Sequence, residues 1–232
     1  MRQRVMIPTR FHTIESMKRS RRPRAAIFDL DGTLVDTFDL VISSYIAATR
    51  DFLGRDLSRE EVISRFGPTE VQMLRRDLPA EQHEQAIEVF LRRYREDHSK
   101  LVSIFEGIPE MLDRLRERNI PMGIVTGKGR DTADITLARL GWTDKFQIVV
   151  TGDESPNPKP APDGLLMVSR SLDALPEDCV FVGDAPADIS AGKSAGMTTV
   201  WASWHPVYAE EIARLAPDVV ARVPADLLEI VR

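Results

Sequence analysis

The sequence predicts an α/β fold, in which a doubly wound, mostly parallel sheet carries an inserted all-helical segment. Two observations support this prediction. Short apolar runs alternate with amphipathic helical patterns from residue 105 onward, and such alternation is typical of strands joined by crossover helices. Between residues 38 and 104 only helical patterns occur. The sheet is therefore expected to be Rossmann-like, with an insertion after its first strand.

Five short apolar runs predict the strands. They are Ala25 to Phe28, Met122 to Val125, Phe146 to Val150, Cys179 to Val182 and Met197 to Trp201. Continuous apolar runs of this length are typical of strands that are buried on both faces of a parallel sheet. Helical patterns at residues 108–115, 132–140, 165–172 and 189–195 separate them. In such sheets ligands bind beyond the carboxyl ends of the strands, and polar clusters occupy those positions here.

The helical patterns between residues 38 and 104 predict an inserted domain, which we call the cap. The catalytic core would then comprise residues 25–37 and 105–232, with linkers near Thr37 and from Ile104 to Gly107. Because the insertion directly follows the first strand, we expect the cap to cover the site and to close over it at these linkers. Asp36 and Thr37 are predicted to cap the first cap helix.

Charge divides the chain into a basic tail and an acidic body. Residues 1–24 carry +7 in a chain whose net charge is −5, which leaves −12 for the rest. We expect the tail to be disordered or to precede a start at Met17, with a transit-like peptide as the alternative. An acidic body argues against nucleic acid as a partner.

Two further properties concern location. No segment reaches the length of a transmembrane helix, so no membrane association is predicted. The single cysteine, Cys179, excludes an intrachain disulfide and favours a reducing, cytoplasmic compartment.

Two carboxylates at the end of the first predicted strand are the most informative local feature. Asp29 and Asp31 are two residues apart, so in an extended chain their side chains point the same way. Gly32 and Thr33 then break the strand. Such a pair suits a nucleophile with a general acid, or a ligand pair for a hard metal ion. An aspartate-rich turn is the alternative interpretation.

Three more polar clusters follow predicted strands. They are Thr126-Gly127-Lys128, Lys159-Pro160 and Gly183-Asp184-Ala185-Pro186-Ala187-Asp188. Together with Asp29 and Asp31 they suit phosphoryl transfer, in which a divalent cation must offset repulsion between a carboxylate and a phosphate dianion. Asp29 and Asp184 are the natural ligand pair for Mg²⁺. Thr126 and Gly127 can hold phosphate oxygens, and Lys159 can offset negative charge.

In this order the clusters resemble the motifs of the haloacid dehalogenase superfamily. The matching segments are Asp-x-Asp-Gly-Thr-Leu-Val-Asp from Asp29, Lys-Pro-x-Pro from Lys159 and Gly-Asp-x-x-x-Asp from Gly183. The resemblance covers residue 25 to the C-terminus. The insertion is similar to the helical cap of phosphoglycolate phosphatases, β-phosphoglucomutases and one class of bacterial pyrophosphatases.

The resemblance implies a role for each site residue. Asp29 would attack phosphorus and form an aspartyl-phosphate. Asp31 would protonate the leaving group, activate the hydrolytic water and ligate the metal through its backbone carbonyl. Thr126 and Lys159 would bind the phosphoryl group, while Asp184 would ligate Mg²⁺ and Asp188 would orient a metal-bound water or Lys159.

Some positions leave alternatives open. The family often has Asn or Ser where this chain has Gly127, so only a backbone contact to phosphate would survive there. Lys128 and Arg130 either compensate by binding substrate or are solvated residues at a helix start. The cap loop Gly67-Pro68-Thr69 is either a turn or a substrate contact. The remaining histidines outside the tail are predicted at the surface because they lack metal-ligand spacing. They are His83, His98 and His205.

The resemblance implies a Mg²⁺-dependent phosphatase that acts on small phosphorylated metabolites, similar to phosphoglycolate phosphatase. An inorganic pyrophosphatase on the same scaffold is the alternative, and a phosphosugar mutase or a non-catalytic binding module is less favoured. A dehalogenase is disfavoured because its chemistry does not use an acid–base such as Asp31. The sequence identifies neither the substrate nor the oligomeric state.

Overall fold

The computed structural model describes residues 23–205 and 207–231 of the 232-residue chain. Almost all of the predicted basic tail therefore lies outside the described residues. Eight strands occur in the described part of the chain. They are β1 (Ala25–Phe28), β2 (Val35–Asp36), β3 (Ser103–Ile104), β4 (Met122–Val125), β5 (Ile148–Val150), β6 (Cys179–Gly183), β7 (Thr198–Ala202) and β8 (Val219–Ala221).

Ten α-helices connect these strands in the described part of the chain. They are α1 (Phe38–Leu53), α2 (Arg59–Ile63), α3 (Glu70–Asp77), α4 (His83–Leu101), α5 (Ile108–Glu117), α6 (Arg130–Arg139), α7 (Asp163–Ser171), α8 (Pro186–Ala195), α9 (Ala209–Leu215) and α10 (Leu227–Ile230). None of the described helices is both long enough and apolar enough to cross a bilayer.

Six strands form one parallel sheet in the order β5-β4-β1-β6-β7-β8. From β1 the chain moves outward through β4 and β5, and then returns to the other side of β1 through β6, β7 and β8. The predicted doubly wound sheet is thus confirmed. The direction of winding reverses between β1 and β6, which is where sheets of this kind bind ligands.

Alternate residues of β1 fill two separate cores. Ala26 and Phe28 join one apolar cluster, which includes side chains from α5. Ala25 and Ile27 join a second cluster on the opposite face, which includes side chains from α7. All four residues are fully buried. The apolar run in the sequence therefore reflects a strand covered by helices on both faces.

The helices from α1 to α4 pack around an apolar cluster of their own, with Tyr45, Leu74 and Phe90 among its buried members. Where the chain enters and leaves this region, β2 and β3 pair as a short antiparallel ribbon, with Val35 opposite Ile104. This ribbon coincides with the predicted linkers. The division into core and cap at residues 38 and 104 stays our interpretation.

The structure differs from the sequence-based expectation at a few strand ends. Phe146 was expected to begin the third strand, but β5 starts at Ile148 and Phe146 instead packs against Phe28, with ring centroids 6.3 Å apart. The edge strand β8 was not predicted, because three apolar residues are too few to give a periodic signal. Phe146 is apolar because it packs against Phe28 in the core, and not because it belongs to a strand.

Phe28 anchors the strand that leads into the site, so its removal should destabilise the fold. We expect Phe28→Ala to lower the free energy of unfolding by about 3–5 kcal/mol, because the cavity left beside Phe146 cannot fully close. Phe28→Leu should cost less than about 1.5 kcal/mol, since it keeps most of the apolar volume. Urea unfolding of the variants measures both, and equal losses would contradict the packing account.

Candidate active site

The two central strands deliver the predicted carboxylates to one point. Asp29 follows β1 and Asp184 follows β6, and these strands are neighbours in the sheet. The backbone N–H of Asp29 donates to the carbonyl of Val182 (2.9 Å), which keeps the strands in register up to the site. Parallel pairing of β1 with β6 therefore sets the distance between residues that are far apart in the chain.

Asp29, Asp184 and Asp188 form a buried acidic cluster. Each offers a carboxylate oxygen, and these oxygens lie within 4.8 Å of one another. The three residues are only 7%, 2% and 1% exposed. Buried like charges at this spacing repel one another strongly, so the cluster requires a compensating cation.

Lys159 supplies part of that compensation. Its Nζ lies 3.0 Å from Asp29 Oδ1 and donates to Asp188 Oδ1 at 2.7 Å. Burial alone would lower the pKa of Lys159, but the carboxylates of Asp188 and Asp29 outweigh burial and raise it above its ordinary value. The ammonium group therefore stays charged and links the nucleophile candidate to Asp188.

The pKa of Asp29 lies well above the ordinary value of an aspartate. Burial raises the pKa of Asp29 to about 8 against the opposing effect of Lys159, and Asp188 and Asp184 add to the rise. The backbone N–H of Leu30 donates to Asp29 Oδ1 at 2.8 Å. A further positive charge that enters the site would therefore stabilise the ionised form of Asp29.

Asp184 is fixed by side chains on both of its oxygens. The Thr33 hydroxyl donates to Oδ1 at 3.0 Å, and His205 Nδ1 lies 3.0 Å from Oδ2. Gly32 has φ +82°, and a Cβ at that position would lie 2.2 Å from Asp184 Oδ2. Residue 32 must therefore be glycine for Asp184 to occupy its place beside the turn.

His205 corrects the expectation of a surface histidine. It is half-buried between Phe38 and Phe105, with both ring centroids at 5.5 Å, and its contact with Asp184 raises its pKa. His98 was also expected at the surface but is buried, because it packs against Tyr94 on α4. Both histidines lie in segments without a recognisable motif, so no local pattern indicated these contacts.

Thr126 and Gly127 follow β4 and line the same cleft. The backbone N–H of Lys128 donates to the Thr126 hydroxyl at 3.2 Å, which bends the loop into a tight turn. Open space surrounds the position that a Cβ of Gly127 would occupy. A residue with a side chain would therefore fit at position 127, and glycine leaves that space open next to Thr126.

Lys128 is buried, which excludes the interpretation that it is a solvated residue at a helix start. Its side chain is fully buried, and its Nζ donates to Asp31 Oδ2 at 2.9 Å and to Glu70 Oε1 at 3.0 Å. The other oxygen of Asp31 accepts from the Thr37 hydroxyl at 2.6 Å. Thr37 thus binds Asp31 rather than capping α1 with its side chain. Glu70 was not predicted as a site residue, because an acidic residue at the start of a helix is ordinarily explained by its favourable interaction with the helix dipole.

Arg130 turns away from the cleft. Its guanidinium pairs with Glu154 and with Asp134, the latter at 3.1 Å. The loop Gly67-Pro68-Thr69 does line the cleft, and the Thr69 hydroxyl donates to Asp153 Oδ1 at 3.1 Å. The cap loop therefore contacts the core beside the site, while Arg130 does not line the cleft.

The cleft that these residues enclose has a volume of about 690 Å³. Its described lining contains five carboxylates and two lysines, the latter being Lys128 and Lys159. Three buried carboxylates that converge within 4.8 Å fit a hard divalent cation such as Mg²⁺, which prefers oxygen ligands. The Asp31 carboxylate lies outside this group, and its predicted ligation through the backbone carbonyl stays a prediction.

The parallel sheet and the acidic pocket at its reversal point define a class of α/β proteins of doubly wound topology. The family model described as haloacid dehalogenase-like hydrolase matches residues 26–202. The chain therefore belongs to the haloacid dehalogenase-like hydrolases, and the family predicted from the motifs is confirmed.

Relatives with assigned names are similar over nearly their whole length. Pyrophosphatase PpaX of Listeria welshimeri is 36% identical over 208 residues, which cover 89% of this chain and 95% of the relative. Pyrophosphatase PpaX of Bacillus velezensis is 34% identical, with 90% and 97% covered.

Solved structures confirm the fold. A predicted phosphoglycolate phosphatase from Haemophilus somnus superimposes with a TM-score of 0.77 at 24% identity, covering 91% of this chain and 99% of that one. A hydrolase from Pseudomonas syringae has a TM-score of 0.72 at 28% identity, covering 90% and 99%.

The raised pKa of Asp29 predicts a pH dependence of stability. The native protein binds the Asp29 proton more tightly than the unfolded chain, so its stabilising contribution is complete below the unfolded pKa of about 4. That contribution is lost as pH rises toward about 8. In metal-free protein, the free energy of unfolding of the wild type should therefore fall relative to that of Asp29→Asn across this window.

Urea unfolding in the presence of a chelator measures the difference at several pH values. Asp51→Asn, at an exposed position on α1, controls for the loss of a surface carboxylate. A free energy of unfolding of the wild type that stays constant or rises relative to that of Asp29→Asn as the pH increases would contradict the assignment.

Proposed function

We propose that this protein is a Mg²⁺-dependent phosphatase that hydrolyses small phosphorylated metabolites through an aspartyl-phosphate on Asp29. The observation that carries the proposal is the meeting of Asp29, Lys159 and the carboxylates of Asp184 and Asp188 in one buried pocket. Membership of the haloacid dehalogenase-like hydrolases supports a hydrolase.

Asp29 is the proposed nucleophile. Lys159 Nζ and the N–H of Leu30 both contact Oδ1, so we assign the attack on phosphorus to Oδ2. In the first step Oδ2 would form a bond to phosphorus as the leaving oxygen departs, and in the second step water would cleave that bond. Dividing one displacement into two is the general advantage of covalent catalysis.

Asp29, Asp184 and Asp188 are the residues that would hold Mg²⁺, either directly or through water. Bound there, the ion would offset the charge of the phosphate dianion and polarise its oxygens. Both oxygens of Asp188 are already engaged, by Lys159 and by the backbone N–H of Ala185. Asp188 is therefore better placed to orient Lys159 or a water than to be a principal ligand.

Thr126, Gly127 and Lys159 are proposed to bind the phosphoryl oxygens. Thr126 and Gly127 lie at the end of β4, beside β1, so a phosphoryl group next to Asp29 would be within reach of both. Although Lys128 lines the cleft, its ammonium group is already paired with Asp31 and Glu70. Its proposed contribution is consequently to the acid–base residue Asp31 and not to direct phosphate binding.

Two substrates are candidates. Phosphoglycolate follows from the family resemblance, and pyrophosphate is favoured by the names of relatives at about 35% identity. The structures named phosphoglycolate phosphatase are less than 25% identical and support the fold alone. The cytoplasm stays the proposed compartment, on the basis of the single cysteine, Cys179, which is buried.

Phosphate release from pyrophosphate, phosphoglycolate and other phosphorylated metabolites should require Mg²⁺ and should disappear in Asp29→Asn. We expect the variant to lose at least about 10³-fold in kcat, because an amide oxygen is a poor nucleophile at this position. The variant should unfold at no lower temperature than the wild type. Undiminished turnover in Asp29→Asn would remove the proposed nucleophile, and the substrate with the highest kcat/KM would separate the two candidates.

Asp31→Asn should slow both half-reactions, because one carboxylate first donates a proton and then accepts one. Rapid-quench measurements with each substrate would give the rate of leaving-group release and the rate of phosphoenzyme hydrolysis. We expect both rates to fall by about 10²-fold or more. A fast burst of product followed by a wild-type steady state would contradict the dual role.

A further inference from the structure

Glu70, the first residue of α3, reaches from the cap into the core. Its side chain is only 7% exposed. Oε2 accepts from the backbone N–H of Gly129 at 2.9 Å, while Oε1 accepts from Lys128 Nζ and from the Thr132 hydroxyl, both at 3.0 Å. Burying a carboxylate is costly unless it is fully paired, so this set of contacts marks a specific position for Glu70.

Glu70 is linked to Asp31 through one side chain. The ammonium of Lys128 lies between them, 2.9 Å from Asp31 Oδ2 and 3.0 Å from Glu70 Oε1. The ring of Tyr94 on α4 lies 5.2 Å from the same ammonium. Two of the three side chains that surround this cation therefore belong to the cap, and the third is the proposed acid–base residue.

The Asp31 carboxylate is held at both ends. Oδ2 accepts from Lys128, and Oδ1 accepts from Thr37, the residue immediately before α1. Its orientation thus depends on a residue at the entrance to the cap and on a lysine whose second partner is in the cap. If the cap moved away from the core, Lys128 would lose Glu70 and could no longer be held in the same place.

We propose that Glu70 is a positioning residue for the acid–base step, holding Lys128 against Asp31 so that the Asp31 carboxylate is correctly aimed only when the cap is seated on the core. The inference rests on the proposed phosphatase activity and extends it to a cap residue. Glu70 lines the cleft, but its hydrogen bonds go to Lys128, Gly129 and Thr132 and not to the acidic cluster, so it would act through Lys128.

A second contact between cap and core provides a control for simple tethering. The Thr69 hydroxyl donates to Asp153 Oδ1, and Asp153 Oδ2 accepts from the backbone N–H of Arg130. This pair joins the same two parts of the protein without contacting Asp31. Asp153→Ala removes this contact and leaves the hydrogen bonds among Glu70, Lys128 and Asp31 in place, so any loss of kcat/KM should be the same for phenyl phosphate and 4-nitrophenyl phosphate.

The test compares two aryl esters of the same shape, phenyl phosphate and 4-nitrophenyl phosphate, whose leaving groups differ in their need for a proton. In Glu70→Ala, kcat/KM for phenyl phosphate should fall about 100-fold, since a misplaced acid cannot protonate the poorer leaving group. For 4-nitrophenyl phosphate the fall in kcat/KM should stay within about 3-fold, because that leaving group departs without protonation. The comparison uses kcat/KM because it covers the steps up to release of the leaving group, whereas slower hydrolysis of the common phosphoenzyme would lower kcat for both esters.

Further variants keep the result interpretable. Glu70→Gln retains an acceptor for the backbone N–H of Gly129 and should show the same selectivity between the two esters. It replaces Glu70→Ala in the test if that variant folds poorly. Combining Glu70→Gln with Lys128→Gln should cost no more than Lys128→Gln alone, since both act through one contact. Glu88→Gln, at an exposed position on the cap helix α4, should match the wild type.

A loss of equal size in kcat/KM for both esters, like that expected for Asp153→Ala, would show that Glu70 is only a tether and would overturn the inference. Wild-type kinetics in Glu70→Ala and Glu70→Gln would overturn it as well. If the wild type releases no phosphate in a manner that depends on Asp29, the proposed function itself has failed. That outcome is distinct, because the comparison of Glu70 variants starts from measurable Asp29-dependent turnover.

Discussion

Charge repulsion in a confined space is the constraint on which the rest of the site depends. Three carboxylates share a region less than 5 Å wide at the end of two neighbouring strands, and burial keeps water from screening them. Lys159 relieves part of the repulsion by contacting Asp29 and Asp188. Burial is the main cause of the high pKa of Asp29, and the carboxylates of Asp188 and Asp184 add to it. The remaining negative charge accounts for the fit of the pocket to a divalent cation.

The sheet creates this concentration of charge and the helical packing stabilises it. Because β1 and β6 are adjacent and parallel, their carboxyl ends bring Asp29 and Asp184 together across more than 150 residues of sequence. Gly32 lets the chain turn directly beside Asp184, where a side chain would collide. The two apolar cores on either face of β1 provide the rigidity that holds like charges in place. The buried carboxylates that the proposed function requires therefore repel one another and destabilise the fold at the same strand ends.

Sequence reasoning recovered the elements whose signals are local. The five expected strands are present and the aspartates follow β1 and β6 as expected, because apolar periodicity and motif spacing depend on near neighbours. The contacts of Lys128, Glu70 and His205 were beyond that reasoning, although Lys128 belonged to one of the predicted clusters. Glu70 lies 58 residues from Lys128 and His205 lies 21 residues from Asp184, and an isolated charged residue ordinarily indicates solvent exposure. Only the assembled fold shows that Lys128 and Glu70 are buried, and His205 half-buried, beside the proposed catalytic groups.

Trapping the covalent intermediate tests the central claim most directly. Turnover with Mg²⁺ and the preferred substrate would be quenched rapidly, and the acyl phosphate would be reduced with borohydride, which converts a phosphorylated aspartate to homoserine. Peptide mass spectrometry should then find homoserine at position 29 in the wild type during steady-state turnover and at no position after incubation without substrate. Homoserine at another aspartate, or none at position 29 while phosphate is being released, would contradict the account of Asp29 as the nucleophile.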